Sequence, residues 1–447
     1  MTRFPHALTL ALTLTASQAF AWSNHSVPTY RALEQMPELA HAAPVIAEPL
    51  EAFLKAEEKT IEALLATQEA WAAANLENYP TRPAALAFVA RPERSDEARR
   101  QAFLMALRIA PNSKFALYIQ PDPLQAATGP RLAYSAVNTL PEQPHSEYKF
   151  IGLKPGDAVA PLAVIASASD EPDYGLDINL WEDSPSEWGK LYGFGNQPFG
   201  NPALYFSSQA PFHMGFFHED RIVYMAAPFI KRTFPLLRSY QYWSLAALAF
   251  RTGHPYWGWR FAGLSLHYLQ DLTQPYHASL APGNSTLKML GANVLAMAGM
   301  SGQKDDMVVL LSNRHLALEK YQNELMHNAA SNKLETALER ALHNTSKDQS
   351  YPEWTDKYLR NVVSAQSWAY APQLTQILVA TMPAQFVSDP SFDFGVKESG
   401  ITLVNELAQQ PEASRARLEN ALAELLGNFG AHSRNAVRSI MKASNQQ

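Results

Sequence analysis

There is no cysteine among the 447 residues. That absence excludes disulfides and thiolate metal sites, so the fold must be held by packing, by ions on nitrogen and oxygen ligands, or by both. Runs of like charge are missing too: the formal net charge is −6, with the two signs interspersed. This argues against a dedicated polyanion-binding surface and leaves room only for a small local cationic site. Beyond the N-terminus, no stretch is long and apolar enough to cross a bilayer. Neither an internal repeat nor a clear linker divides the chain, which is long enough for a sizeable core in one large domain or two.

What is present begins with a leader. Arg3 precedes an apolar run over residues 7–16, and Ala19-Phe20-Ala21 forms an A-x-A cleavage signature. The expectation is a signal peptide over 1–21, a secreted or periplasmic protein, and a mature chain of 22–447. That chain would begin at Trp22 with a free amino group. Loss of Arg3 would take the net charge from −6 to −7.

The coarse reading of the rest is mainly α. Helices are expected over 48–55, 59–74 and 95–109 from their apolar periodicity. Residues 111–159, rich in proline, read as an irregular insertion with a strand or two. Residues 170–209 read as a long Gly-, Pro- and aromatic-rich loop region, and loops of that length tend to be functional. Helices then dominate, at 234–251, 256–272, 287–298, 308–327, 331–343 and 411–443.

One stretch organises the chain: Leu264-Ser-Leu-His-Tyr-Leu-Gln-Asp-Leu-Thr-Gln-Pro-Tyr-His-Ala278. His267 and Asp271, four apart, share one helix face, and the leucines around them mark the helix as buried. Pro275 disfavours helix at Gln274 and turns the chain, which returns His277 to the same region. Two imidazoles and a carboxylate are costly to bury without a compensating cation, so a metal site is expected. Other candidates follow by spacing. His315 and Glu319 form a second i, i+4 pair. Asp170 opens the aromatic loop region and His213 closes it, with Asp173 and Asp177 able to fill the role of Asp170. His25 lies three residues after Trp22, close enough for imidazole and amino terminus to meet one ion. His41, His145, His218, His254, His327, His343 and His432 lack such partners and read as structural.

On the run from Gly263 to Ala278, which carries His-x-x-x-Asp-x-x-x-x-x-His, the sequence resembles the zinc-dependent bacterial phospholipase C family, related to the single-strand-specific zinc nucleases. The resemblance implies a mainly α domain over 22–447 with three Zn²⁺ ions in one cleft. It assigns Trp22, His25 and Asp271 to one ion. Asp170, His213, His267 and Asp271 would hold a second, and His277, His315 and Glu319 the third. Insertions relative to the family fall around 76–165, 174–210 and 280–310. The family's choline-site residues do not carry over: Glu171 and Ala210 stand where aromatics are expected, and aromatics for a cation–π cage would have to come from the 192–217 region. The implied chemistry is phosphodiester hydrolysis, with zinc lowering the pKa of a bound water and Asp170 as candidate general base. Three functions compete on this reading. They are a monomeric phospholipase C acting on phospholipid at a membrane surface without a transmembrane anchor, a zinc nuclease or nucleotidase, and a non-catalytic zinc-stabilised exported protein. The context of the motif and the negative charge favour the lipid enzyme over nucleic-acid binding.

Overall fold

A computed structural model describes residues 24–125, 128–140, 149–200 and 205–445, and among these the chain is mainly helical. The expected leader and Trp22 lie outside the described residues. The helices that matter for the site are α1 (Ser26–Leu33), α2 (Pro161–Asp170), α3 (Pro235–Arg251), α4 (Pro255–Asp271), α5 (Gly302–Asn332), α6 (Ala337–His343), α7 (Ala365–Thr381) and α8 (Glu412–Ser444).

Proline sets several starts. Pro161, Pro235 and Pro255 each occupy the first helical position, where the missing N–H costs nothing and the fixed φ suits a helix. Every residue of α4 from Tyr256 to Asp271 is buried, between α3 on one side and α2 on another, with α8 behind. The close approach of α2 depends on Gly263, because a Cβ there would lie 2.4 Å from the Ile165 carbonyl oxygen. No side chain fits that crossing without a shift.

Two apolar cores meet at the motif. One gathers α3, α4 and the end of α8 around Tyr268, Leu269, Leu272, Val437 and Ile440. The other gathers α5, α6, α7 and the first half of α8 around Tyr276, Leu316, Leu318, Leu422 and Phe429. The turn between Leu272 and Tyr276 therefore passes from one core into the other.

The expected helices form, with bounds shifted by a few residues. The helical text at 308–327 and 331–343 becomes one 31-residue helix, α5, and a short α6. Lys333, in the left-handed region at φ 53°, ends α5. Pro49 caps Leu50–Ala56 instead of lying inside it. The 111–159 region holds short strands in two small antiparallel sheets, with Phe150–Gly152 between Tyr118–Ile119 and Arg131–Leu132, and Val45–Ile46 paired to Ala158–Val159. The loop region 170–209 contains a 3₁₀ turn at Glu171–Tyr174 and a helix at Glu187–Tyr192. Helix α7 lies where no element was anticipated.

Candidate metal centre

Helix α4 ends in the site. His267 and Asp271, one turn apart, point the same way, with His267 Nε2 3.4 Å from Asp271 Oδ2. Gln274 is extended at ψ 121°, and its side-chain oxygen accepts from Tyr276 N to cap the turn Pro275–Ala278 that carries His277. His213 stands at the end of the short helix Ala210–His213, latched to His277 by two bonds. His277 Nδ1 donates to the His213 carbonyl at 3.0 Å, and Gly215 N donates to the His277 carbonyl at 2.8 Å.

Each imidazole except His315 has a named group at its far nitrogen, and each turns its near nitrogen to the cluster. His267 Nδ1 donates to the Ser169 carbonyl at 2.8 Å, and His25 Nδ1 to Gln270 Oε1 at 2.9 Å. His213 Nε2 faces Asp177 Oδ2 at 3.5 Å. Asp177 is itself fixed by Arg238 Nε at 2.8 Å and by the Tyr268 hydroxyl at 2.7 Å. This is how metal-binding histidines are oriented in proteins: the outer bond fixes the tautomer and aims the inner lone pair.

The near nitrogens converge. His267 Nε2 and His213 Nδ1 are 2.9 Å apart, and Asp271 Oδ2 lies 2.9 Å from the latter. Asp271 Oδ1 faces His25 Nε2 at 3.3 Å. In the third group, His315 Nε2 lies 3.1 Å from His277 Nε2 and 2.7 Å from Glu319 Oε1. Gln274 Nε2 donates to that same oxygen at 2.8 Å. Two imidazole lone pairs so close repel unless a proton or a cation lies between them. Nitrogen ligands on one tetrahedral ion with bonds of 2.0–2.1 Å stand about 3.3 Å apart, near the spacing seen here. Asp271 Oδ1 and Glu319 Oε2, both buried, have no hydrogen-bond partner among the described residues. These are buried atoms that a cation would satisfy.

Three buried groups can thus hold metal ions: His25 with Asp173 and His267, His213 with His267 and Asp271, and His277 with His315 and Glu319. Their nitrogen and oxygen donors are compatible with zinc.

Without an ion, the buried carboxylates draw protons onto two of the imidazoles, and a bound cation would take the place of those protons. Burial works against charge on His25, but the Asp271 carboxylate 3.3 Å away pushes it up to about 9. Burial is likewise overcome at His213, pushed up to about 10 by the neighbouring carboxylates of Asp177 and Asp271. Asp271 is held well below the usual carboxylate range because His267, His213 and His25 outweigh its burial. Burial and the neighbouring His315 push His277 down to about 3, which keeps its lone pair available.

One expected ligand changes. Asp170 does not turn toward the clusters: its Oδ1 accepts from the His25 backbone N–H at 2.8 Å and its Oδ2 from the Tyr174 hydroxyl at 2.6 Å. The carboxylate that enters the site is Asp173, with oxygens 3.6 Å from His267 Nε2 and 4.0 Å from His25 Nε2. Asp170 closes α2, and the 3₁₀ turn after it carries Asp173 inward. Burial and the nearby Asp271 raise Asp173 well above the usual carboxylate range, against the pull of His213 and His25. His25, His213, His267, Asp271, His277, His315 and Glu319 all reach the clusters.

The supporting residues were missed by sequence reasoning. Gln270 and Gln274 flank Asp271, and amides on a buried helix were a usable signal. Arg238, 61 positions from Asp177, gave none.

The other described histidines lie apart from these groups. His254 meets Glu48 at 2.9 Å, and His343 meets Glu34 at 2.6 Å. His432 accepts from the Tyr358 hydroxyl at 2.9 Å and donates to Gln366 Oε1 at 3.0 Å. His145 lies outside the described residues.

Comparison with protein-family models, with curated proteins and with solved structures found no match to this chain, so its resemblance to the zinc phospholipases rests on the residues of the motif.

Proposed function

We propose that this chain is an exported zinc-dependent phosphodiesterase of the phospholipase C type, with the fold of the family its motif resembles. Its substrate on this reading is a phosphatidylcholine-like lipid at a membrane surface, and it acts as a monomer. The observation that carries the reading is the position of Asp271, whose two oxygens face two different imidazole sets while His277 starts a third group six residues later.

Zinc held in such a site acts as a Lewis acid on phosphodiester oxygens and brings water to reactivity near neutral pH. His25, Asp173 and Asp271 Oδ1 would hold the first ion, completed by the amino group of Trp22 after leader cleavage. His213, His267 and Asp271 Oδ2 would hold the second, and His277, His315 and Glu319 the third. Asp173 replaces Asp170 as the residue proposed to accept the proton of the attacking water, since its oxygens face the clusters. Asp170 keeps His25 in place through the backbone.

The test is hydrolysis of phosphatidylcholine liposomes beside single-stranded DNA by the purified, zinc-loaded protein. Release of phosphocholine with DNA intact is expected. DNA cleavage with intact lipid would move the assignment to the nuclease branch, and no turnover of either would leave a zinc-stabilised protein.

A further inference from the structure

The helix Thr286–Met297 departs from what a surface helix should be. A helix beside solvent normally sets one apolar face against one polar face. Here Met289 and Ala292 face inward, and the outward stripe at i, i+4, i+7 and i+11 is Leu287, Gly291, Val294 and Ala298. Leu287 is 82% exposed and Val294 64%. Met297 and Met300 extend the face. Across residues 279–303 the only charged side chain is Lys288.

A second element enlarges the patch. The helix Arg221–Ala226 presents Ile222 and Met225, the latter 74% exposed, while its Val223 packs in one cluster with Met289. Two polar ties fix the pair: Thr286 Oγ1 donates to Asp220 Oδ2 at 2.6 Å, and Leu280 N donates to Glu219 Oε1 at 2.8 Å. The two helices are therefore tied together with apolar side chains outward, at the energetic disadvantage of exposing them.

The patch adjoins the metal centre. Between its helices lies an apolar cavity of about 50 Å³ lined by residues including Leu280, Ala281, Met289 and Leu311. Leu280 follows His277 by three residues, and Leu311 sits one helical turn before His315. On the other side of the same helix a broad open groove is lined by Lys288 and Arg314, with Asn284, Ser285, Thr375 and Gln376 and no carboxylate. Arg314 immediately precedes His315. Apolar side chains outermost, cations at their flank and no acid on the helix match a bilayer bearing anionic phosphates.

We propose that Thr286–Met297, together with Arg221–Ala226, is a lipid-bilayer docking surface, with Leu287, Val294 and Met225 seated among acyl chains and Lys288 and Arg314 against anionic lipid phosphates. The inference deepens the lipid reading of the metal centre and rests on it. Docking here would bring the membrane close to the group of His277 and His315, through Leu280 and Arg314, which lie three residues after the one and next to the other.

The test uses the full zinc-loaded protein and flotation with vesicles of phosphatidylcholine containing phosphatidylglycerol. The wild type is expected to float with them, and the double variant L287D/V294D to bind at least roughly tenfold more weakly. Both positions are exposed, and an unchanged melting curve checks the fold. Hydrolysis of a soluble phosphodiester by the double variant should equal that of the wild type. As a second probe, Leu287→Cys introduces the only thiol of the chain, and a polarity-sensitive dye on it should shift to the blue when vesicles are added. Absence of flotation, unchanged flotation of L287D/V294D, or a silent dye overturns the proposal. So does concentration-dependent self-association that the double variant abolishes, since the occupant is then a second copy. Flotation that depends on Leu287 and Val294 without hydrolysis of any phosphodiester would support the docking surface and defeat the enzymatic reading.

Discussion

Asp271 turns its two oxygens to different imidazoles, Oδ1 to His25 and Oδ2 to His213 and His267, and on the proposed zinc reading that separates it from the other candidate ligands. Replacing it by Asn removes charge from both sides and leaves an amide that bridges poorly. Asp271→Asn should therefore weaken about two of three ions, while His277, His315 and Glu319 keep theirs. His315→Ala should do the reverse. Each variant should lose on the order of 10²-fold or more in hydrolysis, and elemental analysis of the purified proteins distinguishes the two. The sequence made these residues visible because helical spacing fixes direction: His267 with Asp271, and His315 with Glu319, had to share a face. The residues alone left Asp170, Asp173 and Asp177 open, because no spacing rule holds where α2 unwinds into a 3₁₀ turn, and it was the family resemblance that implied Asp170. A residue outside the centre gives an independent measurement. His432 is pushed down to about 3 by burial and the neighbouring Lys347. Its folded value is depressed, so its contribution to stability is full above the ordinary histidine value. That contribution falls away between about pH 6.5 and 3 as the unfolded chain takes up the proton, at most about 1.4 kcal/mol per pH unit. His432→Gln should flatten the acid side of the stability curve over that window, as urea unfolding at a series of pH values would reveal.

At the scale of elements, α2 and α4 work as one unit through the crossing at Gly263. The Ser169 carbonyl that aims His267 belongs to α2, so the separation of the two helices sets the direction of that imidazole. Gly263→Val should push them apart and destabilise the protein by about 1–3 kcal/mol. Zinc affinity should fall with it, read by urea unfolding and by competition with a chromogenic chelator. Periodicity revealed α3, α4 and α8 because their apolar residues recur every third or fourth position over many turns. It did not reveal α7, which contains Pro372 and follows a π-helical turn at Leu359–Ser364, both of which break the pattern. The strands around 118–159 are two or three residues long, too short for alternation to register.

For the whole molecule, the lack of cysteine excludes disulfides, so on the proposed zinc reading ions are the available cross-links between the two cores. With ligand at a thousandfold over its Kd, a site that forms only in the native state adds about 4 kcal/mol. Chelation should accordingly lower Tm and abolish activity together, and calorimetry of demonstrably metal-free protein against the zinc-loaded form checks it. An unchanged Tm would mean that the cores alone hold the fold. The position of α1 has a temporal consequence. All eight of its residues are buried, and its seat is shared between α2 and α8. Arg434, on α8, donates to the Ala32 carbonyl and also to that of Leu342 on α6. Helix α1, early in the sequence, thus locks down only once α8, about 400 residues later, has docked on it. His25, just before α1, therefore reaches its station only when α8 is in place, so the candidate centre is assembled by segments from both ends of the described sequence.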